Sequence, residues 1–260
     1  MMRTLACLLA LSTLILAAVP FARAAEDVDL LLVLAVDVSR SIDQAKFMLQ
    51  RDGYAAAVSN RGVLEAIKSG PNQKIALNFV EWSGFGAQKE VIDWTVIDGA
   101  GSARRFGDQI VEAPRSFADR TSISGGIEFA QAQLEHTPLR SPRHIIDVSG
   151  DGTNNAGRDV GASRDDVVAK GTIINGLVIL SDSQLLFNAE HTNPPGGLEK
   201  YYRDNVIGGP GAFVMVAEDF NAFGKAIVKK LIAEIAAAPA RRQHTAAARW
   251  APPGFRATAF

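Results

Sequence analysis

Cysteine is nearly absent: the chain's one residue in 260 is Cys7, inside the opening segment. Without residues 1–24 the chain can form no disulfide and offers no thiolate nucleophile, whatever the redox state around it. Histidine is scarce as well. His136, His144, His191 and His244 are scattered and show no zinc-binding H-E-x-x-H spacing. There is no G-x-S-x-G elbow and no carboxylate cluster suited to a second metal, so the usual signatures of a hydrolase are missing. After Val19 no apolar run is long enough to cross a bilayer. Positive charge is short too. Six of the 27 basic residues (Arg3, Arg23, Arg241, Arg242, Arg249 and Arg256) lie near the ends, leaving 21 basic against 28 acidic residues, a net charge near −7. So acidic a body argues against a nucleic-acid-binding domain.

The ends read differently from the middle. Arg3, an apolar run from Leu5 to Val19 and the small-x-small Ala22-Arg23-Ala24 form a secretory signal with cleavage near Ala24; the alternative is an uncleaved anchor. Cys7 stands at the start of the apolar run rather than after it, which argues against a lipoprotein. Residues 25–238 are enough for one domain with a sizeable core. Residues 239–260, rich in Ala, Pro and Arg without an acid, read as a disordered basic tail.

Between the ends, short apolar runs alternate with longer helical stretches, which predicts an α/β layered fold. Leu30 to Val36 is a continuous apolar run, as in a central parallel strand buried on both faces. Helices are expected over 43–59 and 62–69, then a strand at Ile75–Val80, a turn at Ser83–Gly86 and an edge strand at Val91–Ile97. In that edge strand Ile92, Trp94 and Val96 should face inward and Asp93 and Thr95 outward, the alternation of an antiparallel edge. Trp82 and Trp94 are expected to pack this hairpin. Further helices are expected at 122–135 and 159–170, and strands at His144–Val148, Thr172–Leu180 and Phe213–Val216. Residues 181–210 read as a polar excursion with a short helix near Leu198–Asn205. Phe220, Phe223, Ile227, Leu231 and Ile235 stripe a closing helix. The result is a doubly wound, mostly parallel sheet with one antiparallel edge strand and helices on both faces. Such sheets bind ligands at the carboxyl ends of their strands.

Three pieces fall on that edge: Asp37-Val38-Ser39-Arg40-Ser41 after the first strand, Thr121 opening a helix, and Asp151 after the strand His144–Val148. Together they resemble the metal-ion-dependent adhesion site of von Willebrand A domains over roughly residues 28–237. The segments VLAVDVSRSID, FVEWSG, TSISGGI and IIDVSGDGTNNAG are similar to an uncharacterised bacterial family of secreted proteins with this domain. The resemblance implies that Asp37, Ser39, Ser41, Thr121 and Asp151 hold Mg2+ (or Mn2+ or Ca2+). Neutral hydroxyl ligands leave the ion much of its charge, so it would take an Asp or Glu carboxylate from a protein partner. Helix N-termini expected at Ser41 and Thr121 would add to that pull. One departure is that Ser149-Gly150 precedes Asp151, where many such domains have Thr, implying a different backbone turn.

Each piece also has a plainer reading, Ser41 with Gln44 as a capping box, Thr121 as an N-cap and Asp151-Gly152 as a turn dipeptide. Three functions therefore stand side by side. They are a noncatalytic binding module in the periplasm or outside the cell, a metal-dependent hydrolase acting on a phosphate-like anion, and a purely structural metal site.

Overall fold

The computed structural model describes residues 26–180 and 189–237; the signal segment and the basic tail expected from the sequence lie outside the described residues. The elements run β1 (Leu31–Asp37), α1 (Gln44–Val58), α2 (Arg61–Lys68), β2 (Ile75–Trp82), β3 (Gln88–Ile97), α3 (Ala100–Glu112) and α4 (Ile123–His136). They continue with β4 (His144–Gly150), α5 (Val160–Ala169), β5 (Ile173–Ile179), α6 (Ala189–Thr192), α7 (Leu198–Asn205), β6 (Val214–Ala217) and α8 (Phe223–Ala236). The six strands lie in the order β3-β2-β1-β4-β5-β6, all parallel except the edge strand β3. The order reverses direction between β1 and β4, which is where a doubly wound sheet opens a crevice at its strand ends.

β1 explains the sheet's centre. Every residue of it is buried, and its side chains alternate between two cores. Leu32, Leu34 and Val36 pack with Tyr54, Phe106, Phe223 and Ile227 beneath α1, α2, α3 and α8. Leu31, Val33 and Ala35 pack with Trp82, Ile127, Val167 and Tyr202 beneath α4, α5 and α7. A strand covered on both faces has no use for polar alternation, hence its unbroken apolar run. The last helix is pinned through its buried side. Lys230 lies 2.7 Å from Asp147 on β4 and also pairs with Glu234, which accepts from Asn175 Nδ2 on β5 at 2.9 Å.

Two expectations change. α3 has no counterpart among the expected elements. Its Ala103, Phe106 and Ile110 make a buried stripe, while Gly101 and Gly107 obscure the helical pattern. Gly107 is there for close approach: a Cβ would stand 3.1 Å from the Ala55 carbonyl of α1. In β3, Trp94 and Val96 face the α4 side, whereas Ile92 and Ile97 join the opposite core. The β2–β3 register slips between Leu77 and Phe79 and again between Phe79 and Val80. Each bulge adds a residue, and an odd insertion turns the following side chains over. Trp94 still packs as expected of the hairpin, donating Nε1–H to the Gln133 carbonyl of α4 at 3.2 Å.

Candidate metal centre

β1 ends on Asp37 beside Trp82 of β2, and β4 ends one residue before Asp151. The loop after β1 then turns sharply. Asp37 Oδ1 accepts from the Ser39 backbone N–H at 2.7 Å, folding Ser39 and Ser41 back over the strand end. The two serine hydroxyls meet at 3.1 Å, and Ser41 Oγ donates to Asp151 Oδ1 at 2.6 Å. Arg115, from the loop after α3, clamps the same turn by donating to the Val38 and Ser39 carbonyls at 2.7 and 2.8 Å.

Thr121 reaches this edge because α4 is laid directly on the Trp82 indole. Gly126 makes that possible, since a Cβ there would come within 2.8 Å of the ring. The Thr121 backbone is tied to the loop after β4: its N–H donates to Asn155 Oδ1 at 2.9 Å, and its carbonyl accepts from Asn155 and Ala156. All five residues singled out in the sequence therefore converge. Asp37, Ser39, Thr121 and Asp151 are buried, and Ser41 is half-buried.

The capping roles fall elsewhere. Asp43, not Ser41, caps α1 by accepting from Lys46 N, and Ser122, not Thr121, caps α4 by accepting from Gly125 N. Ser41 and Thr121 are thus left for other partners, and the caps sit two residues further along than expected in α1 and one in α4. The Ser149-Gly150 departure also has a cause. A Cβ at Gly150 would lie 2.6 Å from Tyr202 Oη and 3.0 Å from Asp37 Oδ2, so a side chain has no room beside the aspartate.

Sequence reasoning missed His191. It comes from α6, seventy residues after Thr121, and places Nε2 3.2 Å from Thr121 Oγ1. Its Nδ1 lies 3.1 Å from Thr153 Oγ1 and 3.4 Å from Asn155 Nδ2. Because Asn155 Oδ1 accepts from Thr121 N, the amide's other end is the NH2 group, which can only donate. That makes Nδ1 an acceptor and puts the ring proton on Nε2, directed at Thr121. Burial lowers the His191 pKa and keeps the ring neutral. No local pattern flags such a residue; the link is made by two loops in three dimensions.

The electrostatics of the pair Asp37 and Asp151 are strained. Burial first, and the Asp151 charge second, raise the Asp37 pKa from 3.8 to about 8; its hydrogen bonds to Ser39 and the Arg115 charge offset this only in part. Burial also raises Asp151, although Ser41 and Lys46 pull the other way. Lys46 Nζ stands 4.0 Å from Asp151 Oδ2. Asp37 Oδ2, Asp151 Oδ2 and Tyr202 Oη are buried with no hydrogen-bond partner among the described residues. Carboxylate oxygens without hydrogen bonds in a buried site are costly unless a cation joins them. Two carboxylates with three hydroxyls are also the oxygen-rich donor set a hard divalent ion accepts. Among the described residues no three His, Cys, Asp or Glu side chains form a ligand cluster, so the fit rests on the hydroxyls as much as on the acids. A cavity of about 220 Å³, lined by Arg40, Ser41, Asp119, Arg120, Thr121, Asn155 and His191, leads in from solvent.

Residues 27–239 match the family model described as "Protein of unknown function (DUF1194)". The chain belongs to this family. Its fold is von Willebrand A-like, shared with solved structures of low sequence identity. Proximal thread matrix protein 1 from the mussel byssus is 14% identical with a TM-score of 0.54, covering 82% of this chain and 49% of that one. Another structure of that mussel protein, with a zinc-occupied MIDAS motif, is 16% identical with a TM-score of 0.52, over 82% of this chain and 49% of that one. The open conformation of the pilus adhesin SpaC from Lactobacillus rhamnosus GG is 12% identical with a TM-score of 0.57, over 79% of this chain and 30% of that one. This DUF1194 chain thus spans about half of the mussel protein and under a third of the adhesin. No curated protein matches it. Among its described residues no helix is long and apolar enough to cross a membrane.

Proposed function

We propose that this protein is a noncatalytic binding module that captures an acidic group of a protein partner at a divalent-metal site formed by Asp37, Ser39, Ser41, Thr121 and Asp151. The observation that carries the reading is the burial of Asp37 Oδ2 and Asp151 Oδ2 at the ends of β1 and β4 without a hydrogen-bond partner among the described residues, the latter met only by Lys46 Nζ at 4.0 Å. Mg2+, with Mn2+ or Ca2+ as alternatives, supplies a positive centre that neutral hydroxyl ligands leave incompletely satisfied. The chain's own residues do the rest. Ser39 and Ser41 present their hydroxyls from a turn held by Asp37 and Arg115, Asp151 orients Ser41, and the His191 N–H occupies one lone pair of Thr121. The segment 1–24, read as a secretory signal, supports a site of action in the periplasm or outside the cell. The mussel thread protein and the pilus adhesin support the reading as proteins of adhesion and matrix with the same fold.

A hydrolase is the second reading, and one observation favours it. Thr121, His191 and Asn155 line up as a hydroxyl, an imidazole and an amide, the order of a nucleophile, a base and its orienting group. The polarity is reversed, however. A base must offer Nε2 as an acceptor to the nucleophile, whereas here Nε2 carries the proton and Thr121 Oγ1 receives it. The hydroxyl keeps its own proton, which favours binding over acyl transfer.

Calorimetric titration of Mg2+, Mn2+ and Ca2+ into the wild-type protein, Asp37→Ala and Asp151→Ala tests the site. Saturable binding in wild type that both variants lose is expected; no binding of any of the three ions to wild type overturns the proposal. Metal-stimulated turnover of p-nitrophenyl phosphate, lost in Asp37→Ala, would instead establish the hydrolase.

A further inference from the structure

Resting on the metal-site reading above, we infer that the site is one corner of a wider docking face completed by Arg40, Arg120 and Phe85. Its partner is an extended acidic protein segment carrying a second carboxylate beyond the one at the metal, with an apolar side chain beside it.

Two guanidinium groups flank the cavity. Arg40 is 78% exposed, and its pair with Asp119 is long, 3.9 Å, with both side chains in water. Such a pair is weak and exchanges readily for a better one. Arg120 is exposed, and its side chain makes no hydrogen bond or ion pair among the described residues. Planar, forked donors of this kind suit carboxylates.

Phe85 is carried on the turn after β2, which packs against Asp119 of the cavity lining. Its side chain is 79% exposed, the largest exposure of any large apolar residue described. A tight turn holds it there: Ser83 N donates to the Ala87 carbonyl at 2.9 Å, Ala87 N to the Gly84 carbonyl at 3.1 Å, and Gly86 adopts φ of +75°. Two close approaches anchor that turn beside the site. A Cβ on Gly84 would meet Asp119 Oδ2 at 2.7 Å, and one on Gly157, in the loop after β4, would meet the Phe85 ring at 3.5 Å. Arg40 N in turn donates to the Asp119 carbonyl at 2.8 Å. The turn that carries the ring, the loop that carries Asp119 and Arg120 and the loop that carries Arg40 are therefore held side by side.

Charge sets the partner's sign. The domain carries a net charge near −7, so at long range it repels acidic chains. At this face Arg40 and Arg120 offer the opposite charge at short range, which makes orientation part of recognition. A phenyl ring next to guanidinium groups adds an apolar hold for an aliphatic or aromatic neighbour of the acid.

The test pans a random dodecapeptide phage library on immobilised protein in Mg2+ and elutes with EDTA. Peptides chosen by wild type then have their binding kinetics measured on wild type, Arg40→Glu/Arg120→Glu, Phe85→Ser and Asp37→Ala. Wild type is expected to select peptides with at least two acidic residues next to an apolar one. The arginine variant should lower the on-rate by about tenfold or more and flatten its dependence on salt. Phe85→Ser should mainly raise the off-rate. Arg40, Arg120 and Phe85 are exposed, so the melting temperatures of the arginine variant and of Phe85→Ser should not move. Selection of peptides with no second acid, or equal kinetics on wild type and the arginine variant, overturns the docking face while leaving the metal site standing. Unchanged binding to Asp37→Ala with loss in the arginine variant instead removes the metal from the interaction and keeps the face.

Discussion

Replacing Asp37 by Asn should make the metal-free protein more stable, although the residue is central to the proposed site. The native pKa of Asp37, about 8, lies above its ordinary 3.8. Between those values the native state holds a proton that the unfolded state does not, so stability falls as pH rises from about 4 to about 8 and then levels off. A gap of about four units sets a ceiling of about 6 kcal/mol at 1.36 kcal/mol per unit. Water entering a metal-free site relieves much of this, leaving an expected gain of about 1–3 kcal/mol for the variant at pH 8. Asn keeps the acceptor for Ser39 N and discards the charge. In a domain of this size the gain raises the melting temperature by about 3–10 °C. The assay is thermal unfolding followed by circular dichroism at pH 5, 6.5 and 8, in EDTA and in Mg2+. Wild type should lose stability across that range in EDTA and regain about 2.7 kcal/mol once Mg2+ reaches a hundredfold over its Kd. Asp37→Asn should show a flatter pH profile and no response to metal. A variant that melts below wild type in EDTA at pH 8 would refute the reasoning, because the carboxylate would then serve the fold as a satisfied charge.

Three further outcomes follow from the geometry. Lys46→Met removes an ammonium 4.0 Å from Asp151 Oδ2, so metal should bind about fivefold tighter by calorimetry while the EDTA form becomes less stable. His191→Ala should weaken Mg2+ binding by about tenfold or more, and His191→Gln, whose amide can restore a donor to Thr121, should recover part of it. Lys230→Met leaves Asp147 and Glu234 buried without their shared cation and should cost about 3–5 kcal/mol in urea unfolding, with metal affinity per folded molecule unchanged.

The sheet and the meeting of the five candidate residues were legible because each rests on a local signal. β1 is an unbroken apolar run, and Asp37, Ser39 and Ser41 sit at fixed spacing on its end. Thr121 and Asp151 also lie beside the ends of recognisable elements, so topology alone brings them to one edge. What escaped the sequence depends on tertiary packing. α3 was hidden by Gly107, whose reason is the Ala55 carbonyl across the helix interface. The caps moved to Asp43 and Ser122 because the neighbouring hydroxyls are engaged in the site. His191 comes from the one-turn α6 and Arg115 from the loop after α3, segments whose direction no periodicity encodes, and each reaches the site through groups distant in sequence. Ile92 was misread as sharing a face with Trp94 and Val96 because a bulge is set by register, not by composition.

Those same bulges decide how this molecule can meet its neighbours. β3 is a ten-residue edge, long enough to recruit a foreign strand and seed sheet-to-sheet polymerisation. Its ladder with β2 is broken twice, near Asp93–Trp94 and near Val91. A strand arriving from another molecule would fall out of phase within a few residues and meet the charges of Lys89 and Asp93 on the way. The flank of the sheet is thereby closed to self-templating, and assembly is steered away from the backbone and toward side-chain chemistry at the strand ends.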